Sequence, residues 1–226
     1  MEVRWAVLKN PAVPEDVWRK ALLEGKPEAW SNPMAPIYLL VWSPQPGDWR
    51  TLNDATYWTA IRLWRNPARC SPDGKVLLNV QLINWWACTE YTRRMMDILS
   101  VWASAKGNGS DEHREVVRLL ILCVRTVPNL PAEDRQALNL LEAWCNGREN
   151  NINEVKALAS SNFVKYTAQF ATNFSRWYDV DNLIAELTEY LATKTEEEEF
   201  EEAVAEHDRL LADLIRREMP LPPQFE

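Results

Sequence analysis

Two histidines, His113 and His207, are the chain's whole supply of imidazole, and they stand far apart in its 226 residues. A general base needs a partner that orients it and a pKa near the working pH. His113 sits between Glu112 and Glu115 in what reads as the first turn of a helix, so it is expected to be solvated. His207 falls on the apolar stripe of the last helix and is expected to pack there. The four cysteines, Cys70, Cys88, Cys123 and Cys145, form no CxxC pair, and no HExxH or HxxxH spacing occurs. That excludes the usual zinc signatures. Cys123 lies in "LLILCV", where a thiolate has nothing to stabilise it. No GxSxG marks a serine nucleophile.

The glycines of "KGNGSDE" precede a helix start but lack phosphate-loop spacing, and two acids follow them. This is the pattern of a helix–helix loop. Arg93 and Arg94, two turns after Trp85 and Trp86, are the only basic-aromatic cluster, too small for a nucleic-acid surface. "EEEEFEE" is the strongest charge run. Glu196, Glu197, Glu198, Glu199, Glu201 and Glu202 offer a contact for a basic partner, or the solvated, dipole-favoured start of a helix anchored by Phe200. No catalytic residue, metal ligand or cofactor site is expected.

Charge and composition agree with that reading. The net charge is −8. Residues 1–127 carry a net +3 and residues 128–226 a net −11. Phosphate contacts need clustered cations, so nucleic acid is not the expected partner. Twelve tryptophans are many for this length. Most are expected to fill gaps between packed elements, while Trp18, Trp30 and Trp42 are candidates for an exposed aromatic surface. The first residues show no signal-peptide pattern and no apolar run approaches a membrane span, so a cytoplasmic protein with reduced thiols is expected.

Helices must position whatever these residues do. Nine of the fourteen prolines fall within residues 1–72, which predicts short, proline-started helices there and longer ones in residues 73–226, sharing one core. "NPAVPEDVW" from Asn10 and "NPMAPIYLL" from Asn32 repeat an Asn-Pro turn followed by a helix-starting proline, Pro14 or Pro36. "SPQPGDW" reads as a loop, after which Asp54 caps a helix that ends before Pro67. Over residues 4–42 the arrangement resembles the leucine-rich repeat variant family. That resemblance implies helix-pair packing and brings no general catalytic activity.

One helix is expected from Lys75 to Ala105, with Val76, Val80, Ile83, Ala87, Tyr91, Met95, Ile98 and Trp102 along one face. Leu78, Leu82 and Trp85 lie off that stripe, so its first half is expected to be buried on two sides. Ser110 caps the next, whose "VVRLLILCV" is apolar nearly all round, as in a central core helix. Pro131 opens another, closed by Gly147. Residues 151–177 form one helix or a broken pair, and Asp181 can cap the helix after them. Thr195 with Glu198 matches a capping box ahead of a stripe ending at Pro220.

The expectation is an all-α fold: short proline-started helices packed on a multi-helix bundle or solenoid. The expected function is a non-catalytic protein–protein interaction module. Its specific form is an immunity- or antitoxin-like protein whose acidic C-terminal face masks a basic partner. A carboxylate-based enzyme and a self-assembling structural component are the alternatives.

Overall fold

Proline placement sets the first helices. The computed structural model describes residues 7–41, 46–148, 152–173, 177–193 and 200–225, and among them there are helices and turns but no strand. Contacts divide the chain into two units: one runs to Cys88 and regains the tail from Leu221, and the other is Thr89–Pro220. The division falls after Cys88, not after residue 72.

In the first unit, helix α1 spans Glu15–Leu23 directly behind Pro14, α2 spans Pro27–Trp30, and α3 spans Ala35–Val41 with Pro36 in its first turn. The Asn-Pro steps at Asn10 and Asn32 form the same Asx turn, in which an asparagine Oδ1 accepts an N–H two residues on. Asn10 accepts from Ala12 at 2.9 Å, and Asn32 from Met34 at 2.8 Å. Helix α4 spans Pro46–Arg65, eight residues earlier than Asp54, because Pro46 occupies a first helical position that suits it. A 3₁₀ turn, Pro67–Arg69, leads to α5, Pro72–Cys88.

Burial of α5 in this unit explains the boundary. Leu78, Leu82, Trp85 and Trp86 are buried on a helix that packs against α2 and α4. The Trp30 indole donates to Thr59 Oγ1 on α4 at 3.3 Å, and the buried Glu28 carboxylate takes two bonds from Arg69, at 2.7 and 3.1 Å. The expected helix from Lys75 to Ala105 is therefore two helices.

The second unit begins with α6, Thr92–Lys106. Its first N–H is taken by Asp208 Oδ1 at 3.0 Å, and the guanidinium of Arg216 bonds the Thr89 carbonyl. A distant helix thus supplies the cap that stops α5 and α6 from running together. Helix α7 spans Asp111–Val124, with Ser110 Oγ accepting from the His113 N–H. It packs against four other helices of the unit and buries eight of its residues, which makes it the central helix.

Around α7 lie α8 (Ala132–Cys145), α9 (Ile152–Leu158), α10 (Asn162–Thr172), α11 (Trp177–Ala192) and α12 (Phe200–Glu218). Residues 151–177 are broken where Asp134 of α8 accepts the N–H groups of Ser160, at 2.7 Å, and Ser161, at 3.1 Å. Asp181 lies inside α11 and not at its start. Its carboxylate instead takes two bonds, both at 2.9 Å, from Arg93 of α6. The capping box of Thr195 and Glu198 lies outside the described residues.

Candidate partner-binding face

Trp18 and Trp30 are 0% and 1% exposed, so the expected aromatic surface does not form from them. Their indole N–H groups are consumed internally, Trp18 by the Ala29 carbonyl at 2.7 Å and Trp30 by Thr59. Both rings are core because α1 and α2 are too short to bury their apolar faces without them. Trp42 lies outside the described residues.

Of the acidic run, Glu196, Glu197, Glu198 and Glu199 lie outside the described residues. Glu201 and Glu202 are exposed in the first turn of α12. Further along, Glu206 lies 3.9 Å from Arg209, and Asp213 pairs with Arg216 at 2.5 Å. Acids at the start and bases in the last turn follow the helix dipole.

His113 is not solvated. It is fully buried, with its ring edge-on to Trp144 and Phe170. The Gly109 N–H donates to Nδ1 at 2.9 Å, so the ring hydrogen sits on Nε2, 3.1 Å from the Phe170 carbonyl. Burial pushes its pKa down, against a smaller upward pull from that carbonyl. A neutral imidazole with both nitrogens engaged fastens the α7 start to α10 and has no free nitrogen for acid–base chemistry. Burial likewise pushes Cys123 and Cys145 up to about 12, which leaves both thiols protonated and unreactive. Among the described residues, no three His, Cys, Asp or Glu side chains are placed to hold a metal, and no helix is long and apolar enough to cross a membrane.

The surface feature that stands out is α5. Its inner face carries Leu78, Leu82, Trp85 and Trp86, and its outer face carries Val76, 64% exposed, and Val80, 50% exposed. Ile83 is half-buried and Ala87 exposed on the same line. Their helical spacing puts these side chains in one row. Periodicity finds this row but assigns it to the interior. Two apolar stripes compete for one core, and the larger side chains win because burial free energy scales with area.

Beside the first turn of α5 is a cleft of about 380 Å³ lined by residues that include Trp30, Pro33, Pro36, Asp73 and Leu77. Gly74 forms part of its wall and lets α5 approach the Trp30 backbone. A Cβ there would stand 2.7 Å from Cys70 Sγ and 2.8 Å from the Trp30 carbonyl oxygen. A second cleft, about 540 Å³, lies at the α7–α8 loop in the other unit. Its two arginines already serve protein groups: Arg125 bonds Asn139 and Glu142, and Arg135 bonds the Leu130 carbonyl.

Compared with protein-family models, curated proteins and solved structures, the chain has no match.

Proposed function

We propose that the chain is a non-catalytic helical interaction module that docks a protein partner on the outer face of α5. The observation that carries this reading is the exposure of Val76 and Val80, one turn apart, on a helix whose opposite face is already core. A helix apolar on both faces is ordinarily buried on both. An exposed apolar row is the kind of surface that a partner covers. The leucine-rich-repeat-variant resemblance of residues 4–42 belongs to the same proposal, supported by the matching Asx turns at Asn10 and Asn32.

Val76→Asp combined with Val80→Asp tests it. Both side chains are mostly in water, so the folded state should change by no more than about 0.5 kcal/mol. Cross-linking in the source cells should lose the partner by tenfold or more. Retention of every cross-linked partner by this folded variant would defeat the proposal.

The immunity-like version, in which acidic residues meet a basic partner, is supported by the exposure of Glu201 and Glu202. It is distinguished by Glu201→Gln with Glu202→Gln. There the complex should weaken and become less sensitive to salt.

A further inference from the structure

The tail from Leu221 lies on the first unit as a peptide ligand would. The Phe225 N–H donates to Asn79 Oδ1 at 2.9 Å, and Asn79 Nδ2 donates to the Phe225 carbonyl at 2.9 Å. One side-chain amide on α5 thus supplies both bonds that a neighbouring strand would give an extended residue. The Phe225 ring packs on Trp64 of α4 with centroids 4.3 Å apart, and Phe225 is 7% exposed. Pro222 and Pro223 are buried too.

Each part has a separate task in recognition. The amide of Asn79 reads backbone and is indifferent to sequence. Trp64 provides a flat wall for an aromatic ring, and the two prolines favour an extended shape before binding, which lowers the ordering cost. Together they accept a Pro-Pro-x-aromatic segment. The tail's fit is also incomplete. The Trp64 indole N–H is buried with no acceptor among the described residues, so a segment placing an oxygen there gains a bond the tail does not make. Asn79 lies between Val76 and Val80 on the helix, which makes the slot continuous with the exposed row.

We propose that this slot on α4 and α5 is a peptide-binding site held in cis by the chain's own tail, and that its partner is a protein bearing an extended Pro-Pro-x-Phe segment that displaces the tail. This deepens the interaction-module reading and rests on it. A tethered ligand competes at high effective concentration, so the free slot is the state to probe.

The probe is the acetylated, amidated peptide LPPQF, titrated by calorimetry and tryptophan fluorescence. The proteins are the intact chain, a chain ending at Pro220, and the full chain with Phe225→Ala. The expected result is saturable one-to-one binding to both altered chains. Binding should be at least tenfold weaker to the intact chain, and at least tenfold weaker again when Asn79→Ala is added to the altered chains. Absence of saturable binding to either folded altered chain overturns the proposal. So does failure of both to fold, which would make the tail a structural strap. An intact chain that forms a dimer dispersed by Phe225→Ala overturns it in favour of tail exchange between copies. If the peptide fails to bind while Val76→Asp/Val80→Asp still loses its partner, the slot falls and the interaction module stands. Peptide binding with no partner lost in that variant gives the reverse.

Discussion

Asn32 donates its side-chain amide to two carbonyls of the preceding Asn-Pro unit, those of Leu8, at 2.9 Å, and Asn10, at 3.1 Å. Its Oδ1 meanwhile holds its own turn through the Met34 N–H. Three bonds therefore converge on one side chain that is 2% exposed. Asn10 makes the same turn in an exposed position. Asn32→Ala is expected to cost about 2–3 kcal/mol, because it removes all three bonds and takes from the buried Leu8 carbonyl its bond to Asn32. Asn10→Ala should cost about 0.5–1 kcal/mol. Urea denaturation of the two variants checks the asymmetry, and equal losses would show that the turns alone matter.

Gly74→Ala tests how closely α5 must approach α2. The nearest obstacles to a Cβ include the Trp30 carbonyl carbon and oxygen, at 2.9 and 2.8 Å. Backbone at that distance cannot step aside as a side-chain end would. Alanine normally favours a helix interior over glycine by about 1 kcal/mol. Here the clash should outweigh that gain and destabilise the chain by about 1–3 kcal/mol. Denaturant melts give the sign, and a stabilised variant would mean that α5 shifts freely.

Local signals in the sequence reached some of these elements and not others, for reasons visible in particular residues. Ser110 caps α7 across three residues, Pro14 and Pro36 start helices in place, and "VVRLLILCV" is apolar all round, so these features followed from short-range chemistry. The start of α6 and the break before α10 did not. Asp208 caps α6 from a helix 116 residues away. Asp134, on another helix 26 residues before Ser160, holds the Ser160 and Ser161 N–H groups ahead of the Ser161 cap of α10. Periodicity could show that α5 has two apolar stripes but not which one packing would bury. Tryptophan content signalled a large core without saying that Trp18 and Trp30 lay inside it. Asn79 and Phe225 are 146 residues apart, and neither carries a local sign of the other, so the tail slot had no signature in the sequence.

His113 should make stability depend on pH in a window that few other groups share. Burial holds its folded pKa below the ordinary 6.5, so the neutral ring is the form that folds. Its contribution is fully present above pH 6.5. It is lost as pH falls toward the folded value, because the unfolded chain takes up a proton that the folded chain refuses. A protonated ring would also aim an Nδ1–H at the Gly109 N–H. Asp134 acts in the same direction but lower. Burial alone would raise its pKa, yet its bonds from Ser160 and Ser161 bring it below 3.8. Its stabilisation therefore fades only in stronger acid. Asp208 acts in the opposite direction. Burial raises its pKa despite bonds from Thr92, so its contribution falls as pH rises through the folded value. His113→Gln keeps a donor for the Phe170 carbonyl and does not titrate, leaving the two aspartates as they were. Between pH 7.5 and 5 the native chain should lose stability with a slope of up to about 1.4 kcal/mol per pH unit, and the glutamine variant should not show that slope. Denaturant melts across the range decide it, and parallel curves for the two chains would mean that His113 takes up its proton over the same pH range in the folded and unfolded chain.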